Sequence, residues 1–190
     1  MKKYFRFSIA LAGLILAAGM IGCKGKKEAA PEGEVEVKVY CSGPEYFSDN
    51  TYFRANAIGE SLDQMTAKKK ALSNAKAELA SSINTVIKGT TDNYVNSREF
   101  NNVEDVEERF EGLTREVINQ ELSGVKIICE KQTKTANGNY KTYLAIELSG
   151  DELASQINER LSKDERLKID YDYEKFKQTF DDEMKKLENN

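Results

Sequence analysis

The chain has 190 residues, of which 28 are Lys or Arg and 32 are Asp or Glu, so its formal charge at neutral pH is −4. It contains no histidine, which excludes Ser-His-Asp and Cys-His catalysis and every metal site that needs an imidazole ligand. The acidic balance disfavours a nucleic acid or an anionic membrane surface as a partner.

The first 22 residues have the pattern of a bacterial export signal. A start with three basic residues precedes an apolar run from position 7 to position 21, which is short for a helix that must cross a hydrocarbon core of about 30 Å. The run ends in Met20-Ile21-Gly22-Cys23, which resembles the lipobox of bacterial lipoproteins. We therefore predict a signal peptide over 1–22 and acyl chains on Cys23. The alternative is an ordinary secreted protein with an unrelated cysteine near its cleavage site.

The segment that follows the lipobox predicts a flexible tether. Residues 24–34 are charged, contain Gly and Pro and show no apolar period, a composition that does not fold by itself. With Cys23 they form a tether over 23–34 that could extend to about 36 Å. Removal of 1–22 takes away three basic residues and no acidic one, so the formal charge of the mature chain is −7.

Two cysteines remain after Cys23. Cys41 and Cys129 are 88 positions apart, a spacing that does not suggest a metal site. In an oxidising compartment they could form one disulfide. Two free, partly buried thiols are an equally good interpretation.

Strand patterns come first along the folded part of the chain. Val35, Val37 and Val39 alternate with charged residues, which predicts a short half-buried strand. The segment 51–58 is rich in β-favouring residues and predicts a second strand.

Two helical patterns follow. From Asp63, a candidate N-cap, apolar residues recur at helical spacing, and the many alanines between 67 and 80 would let another element approach closely. We expect this helix to fray between Lys88-Gly89-Thr90 and Tyr94. A second helix is predicted over 102–122, with an apolar face packed onto its own domain rather than onto a coiled-coil partner. That face consists of Val103, Val106, Phe110, Leu113 and Val117.

Asn137-Gly138 predicts a hairpin with a type I′ turn. Such a turn makes paired positions sum to 275, so that Cys129 pairs with Ile146 and points toward the core.

The chain after the hairpin predicts two more helices. Ser149-Gly150-Asp151-Glu152 has the form of a capping box and begins a helix to about Ser162. A last helix begins near Asp172, and its aromatic residues either pack on the domain or form a partner surface. The predicted fold class is α+β, a small antiparallel sheet with helices on one face. The α+β domain covers 35–165, with a C-terminal helical extension over 166–190.

Phe53-Arg54 and Gly59-Glu60-Ser61 precede the alanine-rich helix. In these features the chain resembles the Lpp-twenty lipoprotein family of small bacterial outer-membrane lipoproteins, and the resemblance covers roughly residues 35 to 165. It implies a dodecin-like fold, in which a small sheet wraps a long helix, and it supplies no catalytic residue. The second helix and the C-terminal helix depart from the family pattern.

Motifs that suggest catalysis have simpler interpretations. Ser73-Asn74-Ala75-Lys76 matches the SxxK of penicillin-recognising enzymes and Ser48-Asp49-Asn50 an SDN, but their order is reversed and no KTG follows. Paired carboxylates such as Glu107-Glu108 and Asp181-Asp182 are explained by exposed helix charge. The trio Asp170, Asp172 and Glu174 could attract calcium but lacks the EF-hand spacing.

The expected function is that of a non-enzymatic envelope lipoprotein without a cofactor or bound metal. It would bind the membrane through acyl chains on Cys23 and an envelope protein, or a second copy of itself, through its folded domain. Lys24 does not provide the aspartate that retains lipoproteins at the inner membrane, so we expect the outer membrane, with the domain in the periplasm or at the cell surface. One alternative is a carrier that holds a small apolar ligand or lipid between sheet and helices. Another is an enzyme built on carboxylates with raised pKa values.

Overall fold

The structure of the chain is a computed structural model that describes residues 33, 35, 37–96, 103–165, 167 and 171–189. Lys38–Asn190 form one compact unit, and of the preceding unit, Met1–Val37, only residues 33, 35 and 37 are described. The fold class is α+β, as the sequence predicts. Its strands and α-helices are β1 (Tyr52–Ser61), α1 (Gln64–Asn96), α2 (Val103–Glu121), β2 (Lys126–Lys134), β3 (Tyr140–Ser149), α3 (Gly150–Ser162) and α4 (Tyr173–Lys185).

The three strands form one antiparallel sheet in the order β1-β3-β2. The central strand β3 is the most buried, and its Leu144, Ala145 and Ile146 have no exposed surface. Because side chains alternate along a strand, odd-numbered residues of β1 and even-numbered residues of β3 point to one face, which packs on α1. We call this face the inner face, and the opposite one the outer face.

Close packing of α1 on the inner face depends on small residues. Ala67, Ala71 and Ala75 have no exposed surface, and Gly59 of β1 lies directly against them. A Cβ added to Gly59 would lie 2.2 Å from the carbonyl oxygen of Ala67 and 2.4 Å from the amide nitrogen of Ala71. The close approach that the alanines predict is therefore confirmed. At the start of α1, Asp63 caps the helix as expected, since its carboxylate accepts from the amide of Thr66 at 2.7 Å.

The predicted fraying of α1 is wrong, because the helix continues without a break to Asn96. Its last turns are held by aromatic packing, with the ring of Tyr94 6.0 Å from Phe110 of α2 and 6.2 Å from Phe176 of α4. Gly89, which suggested the break, instead makes room for Glu183 of α4. A Cβ at Gly89 would lie 2.6 Å from a carboxylate oxygen of Glu183.

The other helices follow the sequence patterns. The hydroxyl of Ser149 accepts from the amide of Glu152 at 3.3 Å and so caps α3. The carboxylate of Asp172 caps α4 in the same way. Buried side chains of α2 and α4 belong to the same core as Phe53 of the sheet, so both helices pack on their own domain. These side chains are Phe110, Leu113, Val117, Phe176, Phe180 and Met184.

The predicted first strand is wrong, since residues 35 and 37–39 are not in a strand. The chain enters the domain by turning at Cys41, whose φ of 57° lies in the left-handed region. A disulfide at Cys41 fixes this segment across the outer face instead of along a sheet edge.

The predicted hairpin register is also wrong, by one residue. Asn137-Gly138 are not the two central residues of a type I′ turn, because only Gly138 has a positive φ. The amide of Gly138 donates to the carbonyl of Thr135 and the amide of Thr135 to the carbonyl of Asn139, which is a three-residue loop with glycine in the left-handed position. Gln132 therefore pairs with Thr142 and Cys129 with Ala145, and a bulge near Ile128 shifts the register once more.

Candidate functional site

Cys23, the predicted site of acylation, lies outside the described residues. The contacts that could form a functional site are therefore those of the folded domain. Its most unusual surface is the outer face of the sheet, which none of the α-helices of the described chain covers in the way that α1 covers the inner face.

A disulfide joins Cys41 to Cys129 across the outer face, with an Sγ–Sγ distance of 2.08 Å. The sequence left open either a disulfide or two free thiols, and the structure contains the disulfide. Cys129 pairs with Ala145, an odd-numbered residue of β3, so its side chain points outward and not toward the core as expected. The bridge leaves Cys41 only 6% exposed and Ala145 with no exposed surface.

Next to the bridge, three apolar side chains form a contiguous patch that we call the outer-face cluster: Tyr40, Ile58 and Tyr143. The rings of Tyr40 and Tyr143 meet edge to face at 5.3 Å, and Ile58 is the direct cross-strand partner of Tyr143. Tyr40 is 56% exposed and Ile58 44%. Ile58 is thus half exposed although it lies within a paired strand of the sheet.

A polar network occupies the other end of the outer face. The guanidinium of Arg54 donates from Nε to Glu147 at 2.8 Å and from Nη1 to Asp49 at 2.6 Å, and it lies 5.0 Å from the ring centre of Tyr52. Burial opposes ionisation of Asp49. Hydrogen bonds from the amides of Thr51 and Tyr52 and from Arg54 outweigh that effect and hold the pKa of the Asp49 carboxyl below its ordinary value.

The same network accounts for the SDN-like segment. The hydroxyl of Ser48 accepts from the amide of Arg54 at 2.9 Å and donates to its carbonyl at 3.0 Å. Ser73, the serine of the SxxK-like sequence, lies instead on the exposed side of α1. The two motifs thus do separate structural tasks, and the structure does not bring them together as a catalytic pair.

Both edge strands of the sheet are protected. On β1, in addition to the contacts of Ser48, the carbonyl of Glu60 accepts from Lys70 at 3.1 Å and that of Ile58 from Asn74 at 3.4 Å. The other edge strand, β2, carries lysines at 126, 131 and 134 and a bulge. Lysines and bulges discourage pairing with a further strand. An intermolecular contact is therefore better suited to the outer face than to an edge.

The carboxylates that the sequence singled out are dispersed. Asp181 and Asp151 both pair with Lys177, the latter at 3.1 Å, and Glu107 and Glu108 lie on different sides of α2 at the surface. Of the calcium trio, Asp172 caps α4 and Asp170 lies outside the described residues. Within the part of the chain that the structure describes, no group of three or more Cys, Asp or Glu side chains could hold a metal ion.

Two buried acidic residues were missed by sequence reasoning. The carboxylate of Asp164, 5% exposed, accepts from Nε of Arg109 at 2.8 Å and joins the end of α3 to α2. Glu183, 10% exposed at its side chain, accepts from Asn93 at 2.7 Å and from Lys186. Gly89 was the available signal for Glu183, since a glycine inside a helix indicates close packing as readily as a break.

The clefts of the domain are shallow and polar. Three open clefts of about 390 to 410 Å³ lie along α2, two of them toward α3, and charged residues predominate in their lining. Another of about 220 Å³ lies between α1 and α2. These clefts are lined by α1, α2, α3 and the turn that follows α3, and they give no argument for an apolar ligand held between sheet and helices. None of the helices in the described ranges is long and apolar enough to span a membrane.

A scan against protein-family models found no match to this chain, and neither did searches of curated proteins and of solved structures. The resemblance to the Lpp-twenty family therefore stays a prediction from the sequence.

Proposed function

We propose that the chain is a lipid-anchored, non-enzymatic protein of the bacterial cell envelope, whose folded domain serves as a structural or protein-binding module. The observation that carries the proposal is the lipobox-like Met20-Ile21-Gly22-Cys23 at the end of a short apolar run. Each acyl chain on Cys23 would contribute about 0.8 kcal/mol per methylene buried in the bilayer, so that several chains anchor the protein firmly.

The disulfide between Cys41 and Cys129 supports export of the chain. Disulfides persist in oxidising compartments and are rare in the cytosol. The bridge is compatible with either a periplasmic or a surface-facing domain, and we favour attachment to the outer membrane because Lys24 follows Cys23.

The non-enzymatic assignment is supported by the use that the domain makes of its polar groups. Ser48 and Asp49 hold the start of β1, Asp164 and Glu183 join helices, and Asp151 and Asp181 pair with a lysine of α4. Each of these groups has a structural task that accounts for its position.

Growth of expressing cells with a labelled fatty acid tests the proposal. We expect label on the wild-type chain, recovery in the outer-membrane fraction and loss of both in Cys23→Ala. Cys41→Ala is the matched control, because it also removes a cysteine but leaves the lipobox intact, and it should retain the label. An unlabelled wild-type chain in the soluble fraction would refute the assignment.

A further inference from the structure

We propose that the outer-face cluster, together with Lys131 beside it, rests on the surface of the bilayer in which the acyl chains of Cys23 are embedded. The cluster consists of Tyr40, Ile58 and Tyr143. The occupant of this face would thus be phospholipid, with aromatic rings at the level of the headgroups. The inference rests on the proposed function and adds to it a defined orientation of the domain.

The first residues of the folded unit lie on this face. Cys41 is bonded to Cys129 on the outer face, and the ring of Tyr40, one residue earlier, packs on Tyr143. The domain therefore begins on the outer face, away from α1. Cys41 lies 18 positions after Cys23, a length of at most about 60 Å when fully extended, so the face is within easy reach of the membrane. A short tether keeps the local concentration in the millimolar range, at which even a weak contact is populated.

The chemistry of the cluster fits a membrane interface. Tyrosine rings are apolar with one polar end and are enriched at the level of lipid headgroups. Ile58 adds a half-exposed aliphatic side chain between the strands. Lys131, the cross-strand neighbour of Tyr143 on β2, is exposed and has no acidic partner among the described residues. Its long stem allows the ammonium group to reach lipid phosphates.

The net negative charge of the chain does not oppose this contact, because the charge is unevenly placed. Seven acidic and two basic residues lie on α2, whereas two of the three lysines of β2 point to the outer face and its one glutamate points to the inner face. Arg54 offsets one of the two carboxylate charges of Glu147 and Asp49 on the outer side, and Lys141 offsets that of Glu60. The net charge of the whole chain disfavours contact with an anionic surface, but the outer face is less acidic than the chain as a whole and can approach such a surface.

A protein occupant is less well supported. Stable protein interfaces use about 20 to 30 residues a side, and three apolar side chains with one disulfide are far fewer. Pairing of two copies through β2 would place lysines of both chains along the same edge. Membrane contact needs neither a large area nor an open edge, because the lipid anchor already supplies the affinity.

The absence of tryptophan from the chain makes a direct test possible. Acylated full-length mature protein with Ile58→Trp is reconstituted in vesicles of three parts phosphatidylethanolamine to one part phosphatidylglycerol, with or without lipids brominated on their acyl chains. The matched control is Asn119→Trp, at an exposed position of α2. We expect brominated lipid to quench the tryptophan at position 58 and soluble acrylamide to quench the one at position 119. Tyr40→Trp provides a second reporter should Ile58→Trp fail to fold.

Charge reversal tests the role of the lysine. In the Ile58→Trp protein, Lys131→Glu should lower the membrane-contact equilibrium about fivefold or more, since each basic residue near an anionic surface contributes about that factor. Lys88→Glu, an exposed lysine of α1, should leave it unchanged.

The outcomes separate this inference from the proposed function. If the protein is acylated and vesicle-bound but tryptophan at position 58 is quenched like that at position 119, the inference is wrong while the anchor stands. If position 58 is shielded equally in detergent and crosslinks form between copies, the face binds a second copy and the inference is again wrong. Failure of acylation at Cys23 would remove the proposed function itself.

Discussion

Gly59→Ala should destabilise the domain strongly, because the added methyl group meets backbone and not a movable side chain. The Cβ would lie 2.2 Å from the carbonyl oxygen of Ala67 and 2.4 Å from the amide nitrogen of Ala71, more than about 1 Å inside the optimal separation of nonbonded atoms. Relief requires α1 to move away from β1.

The magnitude follows from that displacement. A gap of 0.5 to 1 Å forfeits roughly a quarter to a half of each dispersion contact, and Ala67, Ala71 and Ala75 are all fully buried in the contact that would open. Overpacking in a rigid core costs about 1 to 3 kcal/mol and sometimes more. The reduced freedom of the unfolded chain returns about 0.4 to 1 kcal/mol. We expect a net loss of about 2 kcal/mol, the upper end of this difference, because the clash is with backbone atoms.

Urea unfolding of the oxidised protein measures the effect. With a slope of about 2 kcal/mol per molar urea, the midpoint should fall by about 1 M. The matched control is Gly112→Ala in α2, where an added Cβ has nothing within 4 Å. It should raise the midpoint by about 0.5 M, since alanine is the better helix former by about 1 kcal/mol. A Gly59→Ala midpoint within about 0.3 M of the wild type, at an unchanged slope, would refute the close-packing argument.

Three further predictions concern the bridge, a buried hydroxyl and an acid-sensitive ion pair. Joint replacement of Cys41 and Cys129 by alanine opens a loop of 88 positions and should lower the unfolding free energy by up to about 4.6 kcal/mol in the chain-entropy account, as measured by urea unfolding. An unfolding free energy within about 0.5 kcal/mol of that of the oxidised wild type would contradict it. Thr142→Val should leave the unfolding free energy unchanged or raise it, because the buried hydroxyl of Thr142 has no hydrogen-bond partner among the described residues. A clear decrease in the same assay would contradict this and show that the hydroxyl has a partner. The pKa of Asp49 is lowered in the folded state, so the contribution of this carboxylate to the unfolding free energy is present above about pH 4 and is lost as the pH falls further. The stability difference between wild type and Asp49→Asn, followed by thermal unfolding across pH, should therefore narrow below about pH 4. A difference that stays constant would count against the ion pair.

Local signals in the sequence predicted the elements well. Caps at Asp63, Ser149 and Asp172 gave helix starts that the structure confirms, since a cap is decided by a side chain and an amide three residues apart. The same holds for the apolar stripes, because helical periodicity alone decides which side is buried. The α+β class followed from these elements without knowledge of any long-range contact.

Long-range geometry was where sequence reasoning failed. Asn137-Gly138 suits hairpin loops of two or three residues, and the choice between these loops shifts every pair of the hairpin by one residue. The two-residue loop predicted from the sequence therefore placed Cys129 on the inner face, whereas the structure places it on the outer face. Gly89 predicted a break because the contact that requires it, Glu183 of α4, lies far along the chain. The outer-face cluster was missed for the same reason, since Tyr40 becomes part of it only through the disulfide.

The disulfide also determines how mechanical load would travel through the anchored molecule. A pull on the lipid anchor enters the domain at Cys41 and crosses the bridge directly to Cys129 in β2. When the opposing force acts beyond residue 129, tension bypasses residues 42–128, which form a closed covalent loop that includes β1, α1 and α2. Along the covalent chain, such a pull is transmitted through the hairpin and the helices after it, and the loop that holds the alanine-rich packing of α1 on β1 lies outside that covalent path.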